Sequence, residues 1–448
     1  MPWFVQLITD TVSFQTEFAR FTDAEGLSVN IELGFTLNPA PYVPVDLDEF
    51  SANVSWKSVD FGYLSVPPIT LSSDDVGLVI DARLTITDEH TFDLASWELL
   101  NSDSSSWHLG GNVPTIHAKA LGLSVPFHNI RLDQEVSLVG LAGRVINIST
   151  FDFLLNEDNH VIIRADITMQ NPAQIEIVPL GNLNFSLSSN GLFLGYAQTK
   201  DQNLTRGLNN FNCESIVDPS FVSQPIIQLA ESFFEGTDTN ITVTATENAS
   251  SIELYAKMLS FAGHNFSMAT TVPGVKSELV VAALSIITEE DINNTLHGQG
   301  VVIQTEVWLA NPVSAEINVH AVNLSLYHGG IVVGQGIANV TSDGHPLNVI
   351  IPGHSIVKTP TVDVRVFLHN FKQDREVIES FYDEYTKGIA CVGIEGSVAA
   401  NVGDLQLPNL TYHTYIDSPL CSRLRPKICN QIVNKEIQSP CNTSIWPT

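Results

Sequence analysis

Long hydrophobic runs are missing from this chain. The most apolar stretch, Leu279–Ile287, is 9 residues long, and a membrane-spanning helix needs about 20. Basic residues are scarce. Lys and Arg number 20 against 49 Asp and Glu in 448 residues, for a net charge of −29. A nucleic-acid partner is thereby excluded, because phosphates are neutralised by a basic surface. Docking on anionic headgroups by charge alone is excluded for the same reason. Charged residues of both signs make up only 15%, well under the usual quarter. Apolar residues at 44% are enough for ordinary cores.

Enzyme signatures are also missing. There is no H-E-x-x-H, no G-x-S-x-G and no P-loop. Gly334 and Gly336 form a lone G-x-G, read as a turn. His328, before two glycines, reads as a solvated hairpin-turn residue. The acidic clusters at Asp74–Asp75, Asp88–Glu89, Glu157–Asp158 and Glu289–Asp291 lack the spacing of a calcium loop and read as solvated loops. An adventitious calcium at Glu289–Asp291 stays open. No catalytic residue, no metal site and no cofactor are expected, and the chain is read as a non-enzyme. Met1–Asp10 has neither the basic start nor the apolar core of a signal peptide. The chain as given carries no address of its own, and if it is extracytosolic a leader or anchor is expected to have been cut off or left out of this sequence.

Cysteine is sparse. Of five, Cys391, Cys421, Cys429 and Cys441 crowd toward the end, and Cys213 stands apart. Their spacing lacks the close pairs of a zinc site. A disulfide-stapled tail joining Cys391 to one of the last three is expected, with reduced thiols as the alternative.

Acceptor sites for N-linked sugar are abundant instead. The pattern N-x-S/T occurs at Asn53, Asn147, Asn184, Asn203, Asn240, Asn248, Asn265, Asn293, Asn323, Asn339, Asn409 and Asn442, 12 in all. Chance gives about five. The excess points to a glycosylated chain outside the cell or in the vacuolar lumen. The alternative is an Asn-rich cytosolic β protein.

The sequence repeats itself three times. Leu27–Pro39, Val161–Pro172 and Val301–Pro312 each read as a β-strand ending in Asn-Pro, the Asn residues 133 and 140 positions apart. Proline cannot donate to a ladder and holds its predecessor extended. A second strand carries a sequon each time, at Asn53, Asn184 and Asn323, and alternation puts each Asn outside and its apolar neighbours inside. A glycine-flanked third strand follows at Gly191–Gly195 and Gly330–Gly334, with a degraded form at Gly62–Ser65. One short helix per copy is expected at Leu94–Leu100, Leu229–Glu235 and Val377–Asp383. Closing β pairs are expected at Leu121–Phe127, Leu259–Gly263 and Gly403–Pro408.

The fold expected is mainly β: three tandem immunoglobulin-like antiparallel β-sandwiches with one short helix each. The copies span 1–137, 138–287 and 288–420, and 421–448 is a Cys-containing tail. The strand-like Phe4–Phe14 is either a contact segment or the first strand of copy one, matching Val145–Phe151.

Asn171-Pro172, Leu180–Phe185, Gly191–Gly195 and Leu204–Asn209 resemble the late-embryogenesis-abundant group-two fold, also called the water-stress-and-hypersensitive-response domain. Copy two is closer still to a fungal family of unknown function. The resemblance implies an immunoglobulin-like sandwich in a vacuolar lumen behind an anchor, with some relatives suspected of holding lipid in an apolar groove. On that basis Phe233 and Phe234 in copy two, and Phe381 and Tyr382 in copy three, are the groove candidates. The function expected is a non-enzymatic, glycosylated, extracytosolic structural or adhesive array that can self-associate. The alternative is a lumenal protein for lipid or another apolar ligand. Partners are thus N-linked glycans, copies of the chain, and lipid. Contacts between copies are expected away from the sugar-bearing faces.

Overall fold

The computed structural model describes residues 13–38, 44–71, 77–120, 123–142, 144–217, 224–261, 264–275, 280–286, 301–328, 331–341, 344–366 and 392–416, with Glu376, Glu379, Ser380 and Asp383. It is mainly β. The first stretch contains β1 (Ser13–Glu25), β2 (Ser28–Asn38), β3 (Val45–Leu47), β4 (Phe50–Trp56), β5 (Val59–Val66), β6 (Ile69–Leu71), β7 (Gly77–Ile86), α1 (Glu89–Asn101), β8 (Ser104–Ala120) and β9 (Leu123–Val139). The second contains β10 (Val145–Leu155), β11 (Val161–Asn171), β12 (Ile175–Ser189), β13 (Leu192–Leu204), β14 (Gly207–Ile216), α2 (Gln224–Phe234), β15 (Thr239–Ser250), α3 (Glu253–Leu259), β16 (Ser260–Phe261), β17 (His264–Asn265) and β18 (Ser267–Val272). The third contains β19 (Val280–Ile286), β20 (Val301–Ala310), β21 (Ile317–His328), β22 (Ile331–Ala338), β23 (Val349–Ile351), β24 (Ile356–Lys358), β25 (Val362–Val366), β26 (Val392–Val402) and β27 (Leu405–Ile416).

One strand order recurs. Neighbours run β1-β2-β7-β5-β4-β8-β9, then β10-β11-β14-β13-β12-β15-β18, then β19-β20-β25-β22-β21-β26-β27. The central hairpin even repeats its defect. Val54 faces Gly62 and Ser55 faces Asp60, leaving Phe61 as the extra residue. Leu187 faces Gly195 and Ser188 faces Phe193, leaving Leu194. Leu326 faces Gly334 and Tyr327 faces Val332, leaving Val333. Such a bulge re-aims a side chain, and Phe61 and Leu194 are buried. The glycine beside it is required: at φ +146 Gly195 has a conformation closed to other residues, and a Cβ on Gly62 would sit 2.5 Å from the Thr85 carbonyl oxygen. Gly62 therefore takes the place of Gly195 and Gly334. Gly334 lies inside β22 rather than in a turn, and His328 is a buried strand residue opposite Ile331, not a solvated one.

The described residues fall into two compact units. Unit 1 is Met1–Thr150, Ala165–Ser215 and Ile241–Thr270; unit 2 is Phe151–Arg164, Ile216–Asn240 and Thr271–Thr448. In unit 1, β1 pairs with β12 in parallel, Arg20 opposite Glu176, a departure from the all-antiparallel expectation. The expected helices in the first two copies are α1 and α2. Asp88 is the N-cap of α1, its carboxylate accepting from the Thr91 amide, so Asp88–Glu89 opens a helix rather than a loop. Helix α3 is an addition ahead of the expected closing pair, with Leu254, Tyr255, Met258 and Leu259 buried. The third expected helix is helical at Glu376, Glu379, Ser380 and Asp383.

Candidate functional site

The second and third Asn-Pro corners are knots tied by the asparagine. Asn171 is buried. Its Nδ2 donates to the carbonyls of Ile175 and Thr205, and its Oδ1 accepts from the Ala173 amide. Asn311 is equally buried. Its Nδ2 donates to Ala315, Ile351 and Pro352, and its Oδ1 accepts from the Val313 amide. Proline stops the strand, and the amide satisfies the backbone groups that the turn leaves over.

Unit 1 holds an apolar cavity of about 130 Å³. Its sheet curls so that β2 and β9, far apart in strand order, both supply walls. Leu33 and Phe35 come from β2, Phe50 and Ala52 from β4, Leu64 and Val66 from β5, Val113 and Ile116 from β8, and Ile130 and Val136 from β9. Half-exposed Leu47, Ile69, Leu71, Leu78 and Ile80 form one rim. Only Arg131 and Gln134 bring polar atoms, and Arg131 is exposed and bonded to Asp133 at 2.8 Å. A smaller space of about 20 Å³ shares the walls Leu33, Leu64, Leu109 and Val136. Trp107 borders it, and its buried indole Nε1 finds no partner among the described residues. Cavities of this size with apolar walls stay dry and accept small apolar molecules.

The groove candidates Phe233 and Phe234 are not at this cavity. They are 4% and 3% exposed and pack in unit 2 against Phe151 and Phe153, with centroids 5.1 to 5.7 Å apart. That is a closed aromatic cluster. The helix face that carries these rings is buried rather than open. Phe381 and Tyr382 lie outside the described residues, as do Cys391, Cys421, Cys429, Cys441, Asn293, Asn442, Asp74–Asp75, Glu289–Asp291 and the segment before Ser13. Cys213 is a buried free thiol; burial, then Asp166, pushes it up to about 11, which leaves it protonated and unreactive at neutral pH.

Of the ten described sequon asparagines, Asn53, Asn147, Asn203, Asn240, Asn248, Asn265, Asn323, Asn339 and Asn409 are exposed, and Asn184 is half-buried. The fully buried asparagines, Asn171, Asn209 and Asn311, are outside sequons. Register corrects the sugar row in one respect. Asn184 and Asn323 lie three residues beyond the bulge glycine on the facing strand, opposite Gln198 and Ile337, whereas Asn53 faces Tyr63, one residue beyond Gly62. Asn53 is thus two residues nearer the turn, still on the outer face.

One cluster joins a nucleophile, a base and an acid. In unit 2 the Ser314 hydroxyl donates to Asp152 Oδ2 at 2.6 Å and lies 2.9 Å from His354 Nε2. The carboxylate also takes the Ser314 amide. The acid bonds the serine itself, so the order differs from a catalytic triad, in which the acid holds the histidine and the histidine holds the serine.

Two buried carboxyl groups in unit 1 differ in kind. Glu176 takes Arg20 Nε at 2.7 Å and Arg206 Nε at 3.1 Å. Burial opposes its ionisation, but the hydrogen bonds from Arg20 and Arg206 outweigh it and hold the acid below its usual range. Both guanidinium groups also lie over the Phe18 ring. Asp93, on α1, is 6% exposed. Burial, reinforced by Glu89, pushes it up to about 6.

Residues 59–187 match the family described as a protein of unknown function, DUF3712. The match runs from β5 to β12, one full set of the seven recurring strand positions in permuted order. A tandem period has no privileged starting point, so the family's frame and the Asn-Pro frame cut the same array at different places. No curated protein matches the chain. Among solved structures, a biofilm-associated protein BSP domain is similar at 9% identity, covering 88% of this chain and 66% of its own, with a TM-score of 0.16. A chaperone–tip adhesin complex of CFA/I fimbriae is similar at 10% identity, covering 45% and 87%, TM-score 0.13. A GH2 beta-galacturonidase from Eisenbergiella tayi is similar at 11% identity, covering 61% and 45%, TM-score 0.16.

Proposed function

We propose that the chain is a non-enzymatic, N-glycosylated array of three β-sandwiches in an extracytosolic space, with a structural or adhesive role. The observation that carries this reading is the sorting of asparagines: nine of ten described sequon positions are exposed, and the three asparagines fully buried among the described residues are outside sequons. Sugar acceptors must face solvent. The departure of the Ser314 cluster from the order of a triad supports the non-enzymatic part. Kinship with the late-embryogenesis-abundant group-two fold, a fungal origin, a vacuolar or extracellular location, a disulfide-stapled tail and self-association through sugar-free surfaces belong to the same reading. Expression through a eukaryotic secretory pathway, followed by site-resolved glycopeptide mass spectrometry, tests it. Sugar at most of the nine exposed sites is expected. Unmodified asparagine at all of them overturns the proposal.

The cavity in unit 1 favours a second reading, the binding of a small apolar molecule or one end of an acyl chain. Ala52→Phe fills the space. Native mass spectrometry of the purified chain should show an apolar adduct that this variant loses. An adduct retained by Ala52→Phe, or no adduct after incubation with fatty acid, defeats this reading.

A further inference from the structure

Two sequon asparagines, Asn53 and Asn323, stand directly across from large apolar side chains that remain exposed among the described residues. Asn53 faces Tyr63, which is 39% exposed, and Asn323 faces Ile337, which is 70% exposed. Opposed residues share one face of the sheet, with Cβ atoms about 5 Å apart. That face is the outer one: Ala52 and Val54 flank Asn53 and are buried, as Val322 and Leu324 are beside Asn323. In the middle repeat Tyr196 faces Ser186, two residues along the same face from Asn184, and is 52% exposed. Apolar groups exposed on an outward sheet face are a liability unless something covers them.

We propose that the first sugar on Asn53 packs on Tyr63 and the first sugar on Asn323 packs on Ile337, so that the glycan completes the outer face of the sheet. This rests on the glycosylated reading above. A pyranose ring presents C–H groups on its faces, and laying one on an aromatic or aliphatic side chain removes apolar area from water. The attachment itself is made by the host: the C1–O bond of a lipid-diphosphate-linked oligosaccharide breaks, C1 bonds to the asparagine Nδ2, and that nitrogen loses one proton. The remaining N–H of Asn53 keeps the bond to Asp60 Oδ2 seen at 3.3 Å.

The test uses the full chain secreted from a eukaryotic host, with its glycans trimmed to a single N-acetylglucosamine. Glycopeptide mass spectrometry first establishes whether Asn53 and Asn323 carry sugar. Thermal unfolding is then compared for Ile337→Ala, Asn323→Gln, their double variant and Ser325→Ala, which removes the sequon but keeps Asn323. The parallel set is Tyr63→Ala, Asn53→Gln and their double. Each single change is expected to lower Tm by about 1–4 °C, and each double variant no more than its larger single. Ser325→Ala should match Asn323→Gln. If both sites carry sugar yet the apolar substitutions shift Tm equally with and without the sequon, the packing proposal is wrong and the glycosylated reading stands. If neither site carries sugar, the packing proposal falls, and the glycosylated reading is decided by the other exposed sequons.

Discussion

The segments that follow Asn171 and Asn311 are one device in two surroundings. In unit 1 the Gln174 carbonyl accepts from the Ala19 amide, and the Gln174 side chain bonds Thr16 and Val139. In unit 2 the Ala315 amide donates to the Phe153 carbonyl, and Ser314 bonds Asp152. Both knots therefore receive an earlier strand three or four residues past the asparagine. They differ in what comes next. Five residues past Asn171 lies Glu176, buried between two arginines; five past Asn311 lies Glu316, exposed. The repeated part is the backbone knot, and the buried charge is an individual addition. Charge burial fixes one pairing among several possible ones, at a desolvation cost that only complete pairing offsets.

The largest expected effect comes from breaking that addition. Glu176→Ala leaves Arg20 and Arg206 over Phe18 without their shared anion, though Arg20 keeps Glu32 at 2.8 Å; the loss of two charge-assisted hydrogen bonds should cost unit 1 about 3–4 kcal/mol by chemical denaturation. Glu316→Ala should change stability by less than about 0.5 kcal/mol. Similar losses at the two sites would show that the contrast has no energetic content.

Next come the knots. Asn171→Ala and Asn311→Ala each strip several hydrogen bonds from buried backbone groups, at about 3 kcal/mol each. The comparison predicts similar losses, because the bonding is nearly the same, three side-chain hydrogen bonds against four. A several-fold difference would mean that the neighbouring charges, rather than the amide, hold the turn.

How much of this was legible in the sequence follows from chain distance. The strand ends were visible as Asn-Pro, but the amide clamp was not, because two of the carbonyls it holds, Thr205 and Ile351, lie 34 and 40 positions away. The Glu176 pair was not, since Arg20 lies 156 positions away and one charge in a β run says nothing of its partner. The cavity was hidden for a related reason: alternation marks Leu33, Leu64 and Ile130 as inward, but not how far the curled sheet leaves their tips apart. Helix α3 has 7 residues, too short a run for helical periodicity to stand out. The bulges were half visible, as glycines whose purpose only the register reveals.

A smaller effect separates two acids of unit 1 by pH. Asp93 has a folded pKa raised to about 6 from 3.8, so the folded chain holds that proton more tightly than the unfolded one. Stability from this group is greatest below about pH 4 and falls as pH rises to about 6, by about 2 kcal/mol. Glu176 is depressed, so its contribution is full above its ordinary 4.5 and is lost as pH falls through the lower folded value. Together they predict a stability maximum on the acid side of neutrality. Asp93→Asn should flatten the limb between pH 4 and 6 and leave the acid limb in place. A limb unchanged by Asp93→Asn would assign it to another group.

The smallest effect is at the second junction, and it decides whether that contact is structural at all. Asp152 accepts both the hydroxyl and the amide of Ser314, at 2.6 and 2.9 Å, but the bonds are exposed to water. Water competes for both donors, so Asp152→Ala should cost only ~1 kcal/mol. Ser314→Ala removes the hydroxyl bond while keeping the amide bond, and should cost less than Asp152→Ala. Raising salt should narrow the gap between wild type and Asp152→Ala, since the accepting carboxylate is only half-buried. If Asp152→Ala instead matches the loss from Glu176→Ala, the two junctions are equals, and the lesson drawn from their contrast is wrong.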